Sequence, residues 1–320
     1  MIYLSLFILF FAAMLAYFRI ADHYNIIDHP NERSSHDKIT IRGGGIVFLL
    51  AAFCAVVLHH DCWLPISGIL IIGMISFLDD IYTLSSVLRL LFHLLAVSIM
   101  FVYLDIFHIE PIYGCFLLYI MVIGVINMYN FMDGINGITG VYSLVVLAGL
   151  QYVNIYKVVF VQADMIWLPI LACNVFLFFN FRKKAKCFAG DVGSVTIAFW
   201  IIMLLVKLIS ITHNWSYILF LVVYGVDSVL TIAHRLILRQ NIFKAHRCHF
   251  YQILANEQKL AHVWVAAGYA LIQGGIIILI IRNSDIAASY WFVITIIPLS
   301  IIYVSLKPVF AKKALAKNVY

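Results

Sequence analysis

Long apolar runs, separated by short polar or charged breaks, follow one another along the whole chain. A helix needs about 20 mainly apolar residues to cross the hydrocarbon core of a bilayer. Runs of this kind predict eleven transmembrane helices, or ten, because several of the runs are short. They lie near residues 2–20, 44–58, 63–78, 88–104, 112–128, 138–153, 165–180, 194–211, 216–234, 261–281 and 286–306. The predicted fold is an all-α polytopic membrane protein, with residues 1–320 forming a single domain.

Composition excludes a soluble protein. Hydrophobic residues make up 64% of the chain and charged residues 11%, whereas soluble domains have about 45–50% and about 25%. The mean hydropathy of +1.02 agrees, and the spans leave little room for a domain outside the membrane. The six cysteines show no CxxC spacing, so neither a disulfide framework nor a thiolate zinc site is indicated. We expect them to be buried small residues.

The distribution of lysine and arginine predicts the topology. If alternate connections lie on opposite sides of the membrane, 18 of the 21 lysines and arginines fall on one side. Lys157 and Arg282 fall on the other side, and Lys207 lies within a span. The positive-inside rule makes the basic side cytoplasmic, which places the N-terminus in the periplasm and the C-terminus in the cytoplasm. The first run lacks a basic leader and a cleavage site, so we interpret it as a retained helix.

Four groups of unusual polar residues are predicted to lie on the cytoplasmic face. They occur in FLDD, in NMYNFMDGINGITG, in AGDVGS and in the basic segment AHRCHFYQ. Their polar members are Asp79 and Asp80; Asn127, Asn130, Asp133 and Asn136; Asp191; and His246 and His249. Nothing in the assignment of the spans required this shared location. We therefore expect the four groups to meet in one cleft at the inner surface of the membrane.

The chemistry of these groups suits a magnesium ion and a diphosphate. Mg²⁺ takes oxygen ligands, usually one or two carboxylates together with substrate phosphates and water. Glycine-rich turns and helix N-termini bind anions through backbone amides, and basic residues neutralise phosphate charge. Phosphoryl transfer depends mainly on such alignment and charge neutralisation. The pattern therefore predicts phosphoryl transfer at a membrane surface.

Each group also has a structural interpretation. An aspartate at a helix end is commonly solvated, a glycine-rich turn can pack between helices, and basic loop residues are explained by topology. Asp227 lies within a predicted span, where a functional role and a structural hydrogen bond are equally weighted. Arg42 precedes three glycines and fits either a site or a membrane-edge position. The functional interpretation is favoured only because all of these groups are predicted to lie on one face of the membrane.

The motifs resemble those of the polyprenyl-phosphate N-acetylhexosamine-1-phosphate transferases, which are glycosyltransferase 4-like enzymes. The likeness runs in order from ERSSH and RGGG through FLDD, NMYNFMDGINGITG and AGDVGS to AHRCHFYQ. The first and last of these are most similar to the branch that initiates O-antigen or other surface-glycan synthesis in bacteria. The histidine loop of the cell-wall translocase branch matches less well. The resemblance implies a multi-pass enzyme of the bacterial inner membrane.

The resemblance also implies residue roles. It assigns catalysis to Asp79, Asp80, Asp133, His246 and His249, and Mg²⁺ binding, with Mn²⁺ as a substitute, to Asp191 and Asp79. It assigns substrate binding to Asn127, Asn130, Asn136, Phe188, Arg42 and Arg247, with Phe188 near the uracil ring. The implied partners are a UDP-N-acetylhexosamine, undecaprenyl phosphate, the bilayer and a second copy in a homodimer, without nucleic acid.

Three departures from the family pattern affect these roles. Asn136 replaces the second acid of Asp-Gly-Ile-Asp-Gly, although an amide can still pair with uracil. The segment RKKA replaces the usual Pro-Pro or Pro-Ala before Asp191. Arg247 and Cys248 replace the middle of the histidine loop, which leaves open which imidazole acts.

The implied reaction is attack by a lipid phosphate on the β-phosphorus of the nucleotide sugar, with release of UMP. A phosphate monoester has a second pKa near 6, so the nucleophile is largely dianionic at cytoplasmic pH and needs little help from a base. That favours direct attack, with a covalent aspartyl-phosphate route as the alternative. The product would start the synthesis of lipopolysaccharide or another cell-envelope polysaccharide.

Three other classes of membrane protein fit the sequence less well. A secondary transporter would place polar groups near the membrane midplane within repeated halves, but no repeat is evident and only Lys207 and Asp227 lie within predicted spans. An intramembrane aspartyl protease would need glycine at position 188, which is Phe188. A CDP-alcohol phosphotransferase would show Ala-Arg where Gly137 and Ile138 stand. The transferase is preferred, and the transporter is the alternative.

Overall fold

The structure is a computed structural model that describes residues 1–28, 39–241 and 247–317, with side chains as far as residue 310. It is almost entirely helical. The elements are α1 (Ile2–His23), β1 (Ile27–Asp28), β2 (Thr40–Ile41), α2 (Ile46–Leu58), α3 (Trp63–Tyr82), α4 (Ser86–Tyr103), α5 (Ile106–Ile109), α6 (Ile112–Met132), α7 (Ile138–Tyr156), α8 (Asp164–Asn180), α9 (Gly190–Thr212), α10 (Val222–Ile237), α11 (Phe250–Gln252), α12 (His262–Arg282) and α13 (Ala288–Lys317).

Every predicted apolar run corresponds to a helix. Within the described ranges, nine helical segments are long and apolar enough to cross a membrane, while α2 and α8 are shorter apolar helices. The ninth predicted span begins as a 3₁₀ turn, Trp215–Leu221, that leads into α10. The prediction of an all-α polytopic membrane protein is confirmed. The number of crossings stays a prediction.

Several helices extend beyond their predicted ends. Helix α3 continues to Tyr82 and α6 to Met132, while α9 begins at Gly190. Asp79, Asp80 and Asp191 therefore lie in the terminal turns of helices, where side chains and neighbouring backbone satisfy the unpaired amide and carbonyl groups. A short antiparallel pair, β1 and β2, with Ile27 opposite Ile41, was not predicted.

Helix α9 forms the centre of the bundle. Every residue from Val192 to Val206 is buried, and α9 packs against α2, α3, α6 and α7. Helices α1 and α13 lie at the periphery, with many exposed apolar side chains that suit contact with lipid. Because α9 is surrounded, its N-terminus lies among the ends of α3 and α6 and the start of α2. That position brings the sequence motifs together.

The six cysteines form no disulfide. Cys54, Cys62, Cys115, Cys173 and Cys187 are buried, as predicted, whereas Cys248 is half-buried. The prediction of burial is therefore wrong for Cys248. Its exposure follows from its position in the connection between α10 and α11 rather than inside the bundle.

Candidate functional site

Asp80 joins the end of α3 to the start of α9. Its carboxylate accepts hydrogen bonds from the backbone N–H groups of Asp191, at 2.9 Å, and Val192, at 3.0 Å. These are first-turn amides of α9, which otherwise lack partners within the helix. The Asp80 side chain is fully enclosed. Asp80 therefore has the geometry of a helix cap.

Arg42 reaches the same acids from the loop before α2. Its Nε lies 2.7 Å from Asp80 Oδ1, and one of its terminal nitrogens lies 3.6 Å from Asp191 Oδ1. The loop is held by two backbone hydrogen bonds, from Gly44 N–H to the carbonyl of Phe188 and from Gly45 N–H to that of Ala189. The glycines after Arg42 thus provide a packing surface that also directs the arginine into the acid cluster.

Arg89 connects Asp79 with Asp191. Its Nη1 lies 2.9 Å from Asp79 Oδ2 and 3.4 Å from Asp191 Oδ2. Arg89 stands in the first turn of α4, which begins where Ser85 accepts a hydrogen bond from Leu88 N–H. From the sequence, Arg89 was assigned only a place in the topology. The sequence does indicate Arg89 as a site residue, because it follows the paired aspartates closely and lies one turn after the serine that caps α4.

Asp191 is the acid of this cluster that faces open space. Its side chain is 21% exposed, against 8% for Asp79 and none for Asp80. Asn130 Nδ2 donates to Asp191 Oδ1 at 3.1 Å and to Ser194 Oγ at 3.2 Å. Ser194 lies one turn after Asp191 on the same face of α9, a helical spacing that could have identified it.

The polar cluster borders two adjoining cavities. A smaller one of about 250 Å³ is lined by Arg42, Asn136 and Phe188, and a larger one of about 600 Å³ by Asn127, Arg89 and His249. We call them the small chamber and the large chamber. Both are lined by Asn130, Asp133, Gly134, Asp191 and Gln252. Asp191 and Asp133 therefore stand where the chambers meet.

Asp133 lies just beyond the end of α6. Thr139 Oγ1 donates a hydrogen bond of 2.6 Å to its carboxylate. Removal of the carboxyl group from water raises the pKa of Asp133 to about 7, although the hydrogen bond from Thr139 opposes this effect. A carboxyl group with that pKa can take up and release a proton near neutral pH.

The turn after Asp133 uses its amides mainly for structure. Asn136 Nδ2 donates to the carbonyl of Arg182 at 2.9 Å, although the residue also lines the small chamber. Gly137 has a φ of +87° and donates its N–H to Asn180 Oδ1 at 2.6 Å. Asn127, in α6, donates to the carbonyl of Ile123 one turn earlier. Asn180 was not predicted as part of this arrangement.

His249 lies in the wall of the large chamber and is held by Asp227. Its Nδ1 is 3.3 Å from Asp227 Oδ1. Asp227 also accepts hydrogen bonds from the N–H groups of Phe250 and Tyr251 and, at 2.7 Å, from Tyr269 OH. The buried Asp227 thus fixes both the start of α11 and the imidazole. These contacts support the structural interpretation of Asp227, and its functional role stays a prediction.

The other two predicted residues of the histidine loop are His246 and Arg247. His246 lies outside the described residues. Arg247 lines neither chamber but a third cavity, together with residues of α10 and α13. Because it lies against these two helices, the structure does not bring Arg247 to the predicted substrate site. Among the residues that sequence reasoning missed, Asp28 and His262 line the small chamber, without a motif to indicate them.

The acids suit a magnesium ion that substrates help to bind. Among the described residues, no group of three or more histidine, cysteine, aspartate or glutamate side chains is arranged to hold a metal. Mg²⁺ is commonly held by only one or two carboxylates, with the remaining ligands from phosphates and water. Asp191 offers such a carboxylate to the chambers, with Asp79 behind it across Arg89. The donor chemistry therefore fits the ion.

Comparison with known proteins agrees with this architecture. Residues 62–209 match the family model described as glycosyl transferase family 4. The matched region contains Asp79, Asp80, Asn130, Asp133 and Asp191. The match agrees with the family predicted from the motifs, and the protein is a multi-pass membrane protein in which residues 62–209 match the glycosyl transferase family 4 model.

One curated relative extends the likeness. The chain is 26% identical over 257 residues to the probable undecaprenyl-phosphate N-acetylglucosaminyl 1-phosphate transferase of Bacillus subtilis (strain 168). The alignment covers 74% of this chain and 71% of the relative. The similarity therefore extends beyond the region that the family model matches.

Proposed function

We propose that this protein transfers an N-acetylhexosamine 1-phosphate from a UDP-sugar to a polyprenyl phosphate such as undecaprenyl phosphate. UMP is the second product. The family match and the name of the Bacillus relative support a sugar-1-phosphate transferase that uses a polyprenyl phosphate. The reaction would be the membrane step that starts the synthesis of a surface polysaccharide.

The observation that carries the proposal is the exposed carboxylate of Asp191, at the N-terminus of α9, between two arginines. Arg42 and Arg89 each contact Asp191 and one further aspartate. Guanidinium groups and helix N-termini both favour phosphate. A diphosphate that spans the two chambers can therefore compete for both arginines and leave the Asp191 carboxylate for a cation.

The chambers divide the substrates in a way that fits this reaction. Phe188 and Asn136 line the small chamber, where an aromatic ring can stack on a nucleobase and an amide can pair with its edge. His249 and Asn127 line the large chamber, which is wide enough for an acceptor phosphate. The β-phosphorus would then lie at the junction beside Asp191.

The protein's own side chains can accept the proton of the acceptor phosphate and align that phosphate with the β-phosphorus. The acceptor phosphate is mainly dianionic at neutral pH, so direct attack forms the new P–O bond without a strong base. The bond between the β-phosphorus and the bridging oxygen breaks, and UMP departs with the electron pair. Asp133 can take a proton from the fraction of acceptor that is monoanionic. A bound Mg²⁺ would neutralise charge on the transferring phosphoryl group.

The location of the site meets a further requirement. The phosphate of a polyprenyl phosphate lies at headgroup level while its tail stays in lipid. The chambers are formed at the terminal turns of α3, α6 and α9, which is where such a phosphate can arrive. A polar site midway along the spans, as in a secondary transporter, would not meet that requirement.

The proposal is tested by product release from purified protein. With undecaprenyl phosphate and UDP-N-acetylglucosamine we expect UMP in the presence of Mg²⁺ or Mn²⁺, and none in excess chelator. Asp191→Asn should lower turnover by at least about a hundredfold, because it removes the exposed carboxylate. Asp105→Asn is the matched control, since Asp105 is an exposed aspartate beyond the far end of α4.

Two results would contradict the proposal. Turnover that is equal with and without chelator would remove the metal from the mechanism. Near-normal turnover in Asp191→Asn would remove Asp191 from the site. Replacing the donor with UDP-N-acetylgalactosamine or another UDP-N-acetylhexosamine in the same assay identifies the sugar.

A further inference from the structure

A third cavity lies between the last turns of α10 and the second half of α13. It has a volume of about 610 Å³ and is lined mostly by apolar atoms, among them those of Ile237, Leu238 and Val304. None of its lining residues borders the small or the large chamber. Its size falls within the range of sites for small molecules. We call it the side cavity.

The side cavity opens towards the surface that faces lipid. Ile237 is 81% exposed and Val304 60% exposed, and both lie on helices of the candidate spans. Large apolar side chains at such positions are in contact with acyl chains when the helices are in a bilayer. A molecule can therefore enter the side cavity sideways from the membrane.

Basic side chains outnumber acidic ones in the wall of the side cavity. Among the described lining residues are Arg235, Arg247 and Lys307, against one carboxylate, that of Glu257. Arg235 is buried, and one of its terminal nitrogens donates to the carbonyl of Asn241 at 2.6 Å. The cavity thus combines an apolar wall with an excess of positive charge.

The contacts of Lys307 distinguish it from the other two cations. Its ammonium group donates to two neutral hydroxyl groups, those of Thr231 and Tyr303. The nearest carboxylate along this chain of hydrogen bonds is Asp227, which Thr231 contacts at 3.3 Å. Asp227 already accepts hydrogen bonds from α11 and Tyr269. Among the described residues, the ammonium group of Lys307 therefore contacts hydroxyl groups, and the Asp227 carboxylate lies one hydrogen bond further away, beyond Thr231.

We propose that the side cavity binds an anionic phospholipid, with its phosphate at Lys307 and an acyl chain along the apolar wall. Basic pockets between transmembrane helices bind anionic headgroups in this way. A two-chain lipid that enters from the bilayer suits the open wall formed by α10 and α13. The polyprenyl acceptor suits it less, because its phosphate must reach Asp191 in the separate chambers.

Cys248 offers a site-specific probe. It lines the side cavity and is half-buried, whereas the other five cysteines are buried. The intact protein is reconstituted in phosphatidylcholine vesicles with increasing fractions of phosphatidylglycerol, and alkylation of Cys248 by a maleimide is followed by mass spectrometry. We expect phosphatidylglycerol to slow alkylation of Cys248. Phosphatidylcholine alone should leave it reactive.

Substitutions at Lys307 separate a bound lipid from a general surface effect. Lys307→Gln should raise the phosphatidylglycerol fraction needed for half-maximal protection by about fivefold, the effect expected for one cation near a membrane surface. Lys307→Arg keeps the charge and should retain protection. Lys207→Gln is the matched control, because Lys207 lies near the far end of α9, over the ring of Tyr103.

Four outcomes would overturn the proposal. Protection that is the same in Lys307→Gln and the wild type would exclude the lysine as a ligand. Equal protection by phosphatidylcholine would exclude recognition of charge. Protection by inorganic phosphate alone would indicate a soluble anion, and stronger protection by undecaprenyl phosphate would indicate the acceptor. Because alkylation needs no turnover, the result is independent of the proposed reaction.

Discussion

Single residues in this protein carry constraints that neither composition nor burial would suggest. Gly190 has a φ of +71°, and a Cβ atom added there would lie 2.4 Å from Asp80 Oδ2. A side chain at position 190 would therefore be strained in its backbone and would collide with the carboxylate that caps α9. The glycine next to Asp191 is required by close approach of α3.

We expect Gly190→Ala to reduce both stability and turnover. The left-handed conformation alone costs an alanine about 1–2 kcal/mol, and displacement of Asp80 would disturb Arg42 and Asp191 as well. Thermal unfolding in detergent and UMP release measure the two effects. Gly124→Ala is the control, because a Cβ there meets no atom within 4 Å and alanine favours a helix by about 0.5–1 kcal/mol. Equal behaviour of the two variants would contradict the role of Gly190.

Asp133 predicts a pH dependence of stability. Burial raises the pKa of Asp133 from its ordinary value of 3.8 to about 7 in the folded protein, so the folded state binds this proton more tightly than the unfolded state does. Its contribution to stability is therefore complete at acidic pH and is lost as pH rises from about 4 through about 7. Asp133→Asn should remove that part of the dependence. Parallel pH profiles of unfolding temperature for the variant and the wild type would refute this assignment.

At the scale of elements, the terminal turns matter more than the spans themselves. Asp80 ties α3 to α9, Arg89 ties α4 to both, and Asp227 ties α10 to α11. Each tie is a charged group that satisfies backbone amides or another charge at a helix end. The helices are thus joined by polar contacts at the end of the bundle that holds the chambers. These contacts fix the relative positions of the residues of the site.

The tie made by Asp227 leads to a prediction about His249. An acceptor on Nδ1 fixes the tautomer and the orientation of an imidazole, so Asp227→Asn should lower kcat by about tenfold to a hundredfold and change KM little. The double variant with His249→Gln should lose little more than His249→Gln alone, because the two residues act as one unit. Tyr269→Phe, which removes a different partner of Asp227, is the matched control. Additive losses would show that Asp227 acts independently of the imidazole.

For the whole molecule, the described helices agree with a bundle that presents its polar cluster at one end. The distribution of lysine and arginine predicts that this end is cytoplasmic. A reporter that is active only in the cytoplasm should be active when fused after Tyr320. The same reporter should be inactive when inserted after Lys157, in the connection between α7 and α8. The reverse pattern would contradict the predicted orientation.

Much of the architecture was within reach of the sequence. The apolar runs predicted the positions of the helices, and the polar motifs indicated which helix ends share a face. Asp191, Asp133 and Asn130 were predicted together and do lie together. These predictions succeed because hydrophobicity and helix length are local properties, which neighbouring residues determine without reference to the rest of the chain.

Other features depend on how the helices pack. Asp80 caps α9 and Arg89 reaches Asp191 through contacts between residues far apart in sequence. The position of Arg247 at the side cavity likewise depends on how α10 and α13 pack. Such contacts depend on how the helices are rotated and how they cross. An apolar run says little about either, because lipid and protein are both apolar surroundings. The sequence by itself therefore determined the membrane class, the helices and the candidate residues. Tertiary structure decided which carboxylates are enclosed and which one faces the chambers.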